Sequence, residues 1–249
     1  MLNYALTFIT GLIIGSFFNV VIYRLPRGES VIIPPSHCPS CNTRLKAVDL
    51  IPVLSYIIYR GKCRYCGVKI SLQYPIVELL TAILYLSVYI KFGFSLEGFI
   101  YLFLISLLII ISFIDLNEKI IPNLLSYSGI IIGLILSLIF NHISFISAIL
   151  GLIIPSLLLL IIALIFQGGM GIGDVKLVGM IGTFTGYLYP MIGIFIGALV
   201  GSIIFLPLLM TGKIDKKTRI PFGPLISLGT IIMILFGERL IDLYWSFLF

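Results

Sequence analysis

Eight apolar stretches, most of them long enough to cross a bilayer, leave this chain few ways to fold. They cover about residues 2–23, 75–91, 97–114, 124–140, 144–166, 175–188, 190–211 and 222–238. A helix needs about 20 mainly apolar residues to span the hydrocarbon core, and long runs with almost no charge read as such helices. The sixth stretch stands apart, being short and rich in glycine. The chain is 60% hydrophobic and 10% charged, with a mean hydropathy of +1.21. A soluble domain of 249 residues has no core large enough to bury that much apolar surface. The pattern predicts an all-α membrane protein of about eight transmembrane helices. One polar segment, 24–74, separates the first helix from the second. The first stretch has no basic leading region and no small-x-small cleavage site, so it reads as a retained helix and not a signal peptide. The apolar, aromatic tail from Glu238 to Phe249 suits the membrane interface.

The basic residues orient these helices. Net charge is +6, but the 16 lysines and arginines fall on alternate loops and do not gather on one face. That distribution argues against a nucleic-acid partner and for the lipid bilayer. With the polar segment on the cytoplasmic side, eight spans place all but Lys91 and Arg239 on that side. Losing one span would move Lys213, Lys216, Lys217 and Arg219 across the membrane.

All four cysteines lie in the polar segment, as Cys38-Pro39-Ser40-Cys41 and Cys63-Arg64-Tyr65-Cys66-Gly67. Two C-x2-C pairs separated by residues 42–62 have the form of a zinc site. Each pair offers two thiolates from one tight turn, and two turns complete a tetrahedral, closed and therefore structural centre. The segment is too small to fold readily alone, and a metal supplies what its core lacks. Disulfides or free buried cysteines are the alternatives. A cytosolic location, where thiols stay reduced, weighs against the first. The expected unit is a small zinc-ribbon-like domain holding Zn2+ through Cys38, Cys41, Cys63 and Cys66.

Two acids stand at membrane edges. Asp115 ends the third span and is followed by Ile121-Pro122-Asn123, while Asp174 opens the sixth within Gly171-Ile172-Gly173-Asp174-Val175-Lys176. An ionisable residue beside lipid is a functional candidate by default. The fourth and fifth spans lie between them, so both fall on the cytoplasmic edge. Two carboxyls that meet there share a proton and supply the acid and the base that peptide hydrolysis needs. Glycines 168, 169, 171 and 173 allow backbone to approach an extended peptide. The alternative is that Asp115 caps a short turn, Asp174 caps the sixth helix and Lys176 snorkels to the interface. Glu78, one turn inside the second span, requires a partner. Glu29, Asp49, Glu118, Asp215 and Glu238 read as solvated loop charges.

Taken in order along the chain, these stretches resemble the prepilin peptidases, the type IV leader peptidases of bacteria. The resemblance rests on Gly15-Ser16-Phe17-Phe18-Asn19-Val20-Val21-Ile22-Tyr23-Arg24-Leu25-Pro26, the two cysteine pairs, Ser71-Leu72-Gln73-Tyr74-Pro75-Ile76-Val77-Glu78, Asp115 with Ile121-Pro122-Asn123, and the GxGD stretch ending in Lys176. It implies cleavage of the basic leader of prepilins or pseudopilins at the cytoplasmic face of the bacterial inner membrane, with Asp115 and Asp174 as the catalytic pair. It also implies N-methylation of the new N-terminal residue from S-adenosylmethionine, an activity associated with the cysteine-bearing segment. The corresponding domains are helix 1–23, the four-cysteine domain 24–74 and a seven-helix peptidase domain 75–249. Lys176, Glu78, Asn19, Gly171 and Gly173 are further site candidates. Asn19 and Glu78 suit either activity or a plain interhelical hydrogen bond. No strand leads into a G-x-G-x-x-G turn with a downstream acid, so the dinucleotide fingerprint is absent. The rival readings are a peptidase without methylation and a zinc-bearing membrane scaffold or transporter.

Overall fold

Lipid tails are as apolar as leucine, so helices in a bilayer gain little by hiding leucine from them. Small residues that let backbones approach decide which helices meet. In the computed structural model, which describes residues 1–165, 171–213 and 220–248, glycines mark the close approaches. Two units are resolved, Met1–Phe94 and Ser95–Phe249.

The first unit holds α1 (Leu2–Arg24), the short α2 (Leu54–Ile58) and α3 (Gln73–Phe92). Helices α1 and α3 lie side by side. Gly11 and Gly15, one turn apart on α1, face the α3 backbone: a Cβ on Gly11 would sit 2.6 Å from Ala82 Cα, and one on Gly15 2.8 Å from Glu78 Cα. The second span therefore packs with the first, and the polar segment is strung between their ends. That segment contains two 3-10 turns, Leu25–Arg27 and Ala47–Leu50, besides α2 and the cysteine turns.

The second unit holds α4 (Leu96–Glu118), α5 (Asn123–Phe140), α6 (Phe145–Ile165), α7 (Ile172–Thr185), α8 (Leu188–Met210) and α9 (Gly223–Leu248). Ser95 caps α4 by accepting the Gly98 N–H at 3.0 Å. Leu104, Ile105, Leu108, Ile111 and Ile114, spaced by three and four, are fully buried and form the α4 side of the core.

Seven helices among the described residues are long and apolar enough to cross a membrane. The remaining predicted span, the sixth, is α7, and its 14 residues reach only about 21 Å at 1.5 Å per residue, less than the roughly 30 Å core. Its surroundings explain how so short a helix is tolerated. Every residue from Leu177 to Phe184 is buried. On the α6 side, the Gly151 and Gly182 backbones touch; on the α5 side, Gly129 meets Met180 and Gly133 meets Thr183. Helix α7 is thus solvated by protein and not by lipid.

The predicted spans recur with shifted ends. Helix α4 continues one turn past residue 114, so Asp115 lies inside it. Helix α9 continues to Leu248, which makes the C-terminal stretch a helical continuation of the last span. Gly168, Gly169, Asp215, Lys216, Lys217 and Arg219 lie outside the described residues.

Because the Gly151–Gly182 contact leaves no room for a methyl group, Gly182→Leu is expected to cost about 1–3 kcal/mol or more through overpacking. A clearly lowered melting temperature in detergent, against an unchanged one for the lipid-facing Ile203→Leu, checks this.

Candidate active site

The two carboxylates are positioned by helix ends. Asp115 stands in the last turn of α4, where the negative pole of the helix disfavours an acid, and it is only 6% exposed. The opposite pole of another helix answers that charge. Gly223, the first residue of α9, donates its N–H to Asp115 Oδ2 at 3.1 Å. A Cβ at 223 would stand 2.8 Å from the same oxygen, so a side chain there fits only if the Asp115 carboxylate moves. Asp174, 7% exposed, is the third residue of α7, and its Oδ2 accepts the Gly171 N–H at 3.2 Å. Its carboxylate feels the charge of Asp115, so the two acids occupy one site. Ile121 wedges between the two helix starts. Its side chain would lie 3.1 Å from a Cβ at Gly173 and 3.4 Å from one at Gly223.

Both simple readings of Asp174 therefore hold at once: it caps α7 and it faces a second acid. Asp115 does not cap a turn. The other candidates divide. Lys176 donates from Nζ to Asn123 Oδ1 at 2.8 Å and lies over the Tyr127 ring at 5.1 Å, so it ties α7 to α5. Gly173 is needed for space against Ile121. Gly171 has extended backbone, with φ −86° and ψ 149°, and a Cβ there would meet Asp174 Oδ2 at an ordinary 3.7 Å. Gly223, Ile121 and the anchoring role of Asn123 are not apparent from sequence. The one signal for Gly223 is its place in Pro221-Phe222-Gly223-Pro224 at the mouth of a span.

In the first unit the cysteine pairs form two matching turns. Cys38 N–H donates to Thr43 and Asn42 N–H to Cys38; in the same register Cys63 N–H donates to Val68 and Gly67 N–H to Cys63. The residue after each second cysteine has positive φ, 52° at Asn42 and 71° at Gly67, conformations that Asn and Gly adopt most readily. Paired bridges, His37 with Arg44 and Lys62 with Lys69, close each turn. All four sulfurs lie within 4.8 Å of one another, and Cys38 and Cys66 Sγ are 3.8 Å apart. A tetrahedron with metal–sulfur bonds of about 2.3 Å has edges of roughly 3.8 Å, so the four thiols fit a metal such as zinc.

Asp49 is not a solvated loop charge. Its Oδ2 accepts the Lys46 N–H at 2.9 Å and the Tyr65 hydroxyl at 2.8 Å, and Arg64 Nη1 stands 3.5 Å from Oδ1. Burial pulls its carboxyl upward, but the Lys46 amide, Tyr65 and Arg64 outweigh that and hold it below the usual carboxylate range. The acid thus grips the two middle residues of the second cysteine turn.

Below these turns the same unit encloses a cavity of about 540 Å³. Tyr23, Tyr56, Tyr59 and Tyr74 line it, with the acids Asp49 and Glu78, Asn19, and the basic Arg24, Lys62, Arg64 and Lys69 among its polar residues. Glu78, 6% exposed, accepts the Val53 N–H at 2.7 Å and the Ser16 hydroxyl. Val53 has φ 62° and ψ −48°, a strained conformation for a β-branched residue. Asn19, 3% exposed, donates from Nδ2 to Tyr74 O at 3.0 Å and to Gly15 O at 3.4 Å. Its Oδ1 has no partner among the described residues.

An Asp49→Asn variant is expected to make the 24–74 segment more sensitive to limited proteolysis at neutral pH. A carboxyl lowered by folding stabilises above its unfolded pKa, and the benefit fades as pH falls through the lowered value. The difference from wild type should therefore shrink as stability is measured from pH 7 down toward about 3.

Comparison with known proteins agrees with this division. Residues 9–92 match the family described as the bacterial peptidase A24 N-terminal domain, and residues 102–206 match the type IV leader peptidase family. A protein of Bacillus subtilis (strain 168) named prepilin leader peptidase/N-methyltransferase is 38% identical over 96% of this chain and 97% of its own length. Proteins of the same name from Xanthomonas campestris pv. campestris and Aeromonas hydrophila are 34% and 32% identical, over 95% and 98% of this chain and 92% and 94% of their own lengths. No solved structure matches the chain. With identity above 30% along nearly its whole length and two domain matches that follow its two units, the chain belongs to the type IV leader peptidase family.

Proposed function

We propose that this protein removes the leader of prepilins or pseudopilins with the Asp115–Asp174 pair and methylates the new N-terminus within its first unit. Its relatives carry both activities in their names, which supports this reading. The observation that carries the peptidase assignment is the meeting of two nearly dry carboxylates, each held through Oδ2 by a backbone N–H at the start of a helix. These bonds fix the side chains without neutralising them by a cation.

Such a pair divides the work of peptide hydrolysis. One carboxyl takes a proton from water as its oxygen attacks the scissile carbonyl; the other gives a proton to the departing nitrogen. The pair acts as a unit, and neither aspartate is assigned a fixed role. Gly171, whose glycine the local packing does not demand, leaves backbone open beside Asp174 for an extended substrate. The basic residues flanking the spans support placing this edge and the cysteine turns on the cytoplasmic side of the inner membrane. There a prepilin leader leaves its hydrophobic helix.

The first unit fits both implied cofactors. Zn2+ would be held by Cys38, Cys41, Cys63 and Cys66 as a closed structural centre that joins the two turns. S-adenosylmethionine fits the cavity by volume and by donor set. Tyrosine faces suit a sulfonium, and the polar side chains of the lining offer partners for the sugar and the amino-acid end. The chemistry this donor supplies is an electrophilic methyl group.

Asp115→Asn and Asp174→Asn are each expected to lower leader cleavage in liposomes by more than about a hundredfold; near-normal cleavage by either would end the assignment. Gly223→Ala should lower kcat about tenfold or more through displacement of Asp115, with little change in melting temperature. Cys38→Ser should remove about one zinc per chain by elemental analysis.

A further inference from the structure

The cavity of the first unit is lined by the cations Arg24, Lys62, Arg64 and Lys69 and also by two acceptor-bearing side chains that the peptidase site does not use. Asn19 on α1 and Glu78 on α3 both line it, and both are nearly dry, 3% and 6% exposed. Neither side chain is free to turn. The Asn19 amide is fixed because Nδ2 donates to the Tyr74 and Gly15 carbonyls, so Oδ1 is committed as an acceptor and is left without a partner among the described residues. Glu78 is fixed by the Val53 N–H at 2.7 Å. The helices that carry them are locked face to face, since Gly15 lies against the Glu78 backbone. A buried acceptor without a donor is costly to leave unmet, and a strained Val53 adds to that cost. The Asn19 amide already joins α1 to the Tyr74 carbonyl on α3 and Glu78 holds the Val53 N–H, so the interhelical bonding leaves Asn19 Oδ1 over, on a residue that lines the cavity.

We propose that Asn19 Oδ1 and the Glu78 carboxylate form the recognition site for the N-terminal ammonium of the cleaved pilin, with Glu78 as the base that frees its lone pair. The inference rests on the methyl-transfer reading above and assigns the acceptor side of that reaction. An ammonium has three donors to satisfy, and a dry carboxylate with a fixed amide oxygen supplies acceptors of the right charge. Glu78 takes one proton, leaving a neutral amine that Asn19 keeps aligned. The nitrogen–carbon bond then forms as the carbon–sulfur bond of the donor breaks, with the electron pair left on sulfur. The product is a secondary ammonium, and the proton stays on Glu78 until exchange with solvent. An amine already acylated offers no ammonium and is excluded by the same geometry.

The test uses the full chain in detergent and a short peptide of the mature pilin N-terminus, with its amine free or acetylated. Binding is read by titration calorimetry in the presence of S-adenosylhomocysteine. For wild type the free amine should bind about tenfold or more tightly than the acetylated form, as expected for charge-assisted hydrogen bonds. Glu78→Gln keeps an acceptor for the Val53 N–H but holds no charge. It should erase that preference and slow methylation about a hundredfold or more, while S-adenosylhomocysteine still binds and leader cleavage and zinc content report a folded protein. Asn19→Leu should weaken free-amine binding, and Asn19→Asp should restore it. Equal binding of the two peptides by wild type, or unchanged methylation by Glu78→Gln, overturns the proposal. A wild type that binds no S-adenosylhomocysteine and methylates nothing overturns instead the methyl-transfer reading on which it rests.

Discussion

An acid at the C-terminal end of a membrane helix is opposed twice, by the helix dipole and by the loss of water. Asp115 is kept there because the start of α9 presents a backbone N–H to it across the second unit. Much else in that unit follows from this pairing. A glycine at 223 lets the carboxylate keep this place, because it occupies the space a Cβ would take. Ile121 must fill the gap between the starts of α7 and α9. Asp174 then completes the site from α7, using its own N-terminal turn for support. The acids are charges lodged at three helix ends whose partial charges oppose or support them.

The first unit solves a different problem with similar economy. A segment of about fifty residues between two spans has little core of its own, so backbone turns and one acid do the organising. The two cysteine turns repeat the same hydrogen bonds, bridges and left-handed residue. Asp49 adds a bond of its own, linking the 3-10 turn to Arg64 and Tyr65. The cavity lies under this frame, with α1 and α3 as its other wall.

What could be read from sequence was whatever is written in local pattern. Long apolar runs announced the helices, C-x2-C spacing announced the thiol cluster, and acids at the ends of apolar runs announced the carboxylate pair. What escaped depends on contacts between distant residues. Gly223 acts on an aspartate 108 positions away, and no local rule connects them. Asp49 looked like a solvated charge because its partners, Arg64 and Tyr65, belong to a different turn of the chain. Lys176 looked like a companion to Asp174 because it is two residues on, but helical geometry turns it toward Asn123. The helix ends were also blurred, since apolar composition says where a helix enters lipid and not where its hydrogen bonding stops.

The enclosure of α7 bears on how the enzyme meets different membranes. A helix that touches lipid tilts or shifts when bilayer thickness changes, because its apolar length must match the hydrocarbon around it. Helix α7 has no such match to keep. Its depth is set by glycine contacts with α5 and α6, and the turn bearing Asp174 inherits that depth. Hydrophobic mismatch therefore acts on the outer helices first and reaches this carboxylate only through them. The shortness of α7 insulates its end of the site from the thickness of the surrounding bilayer.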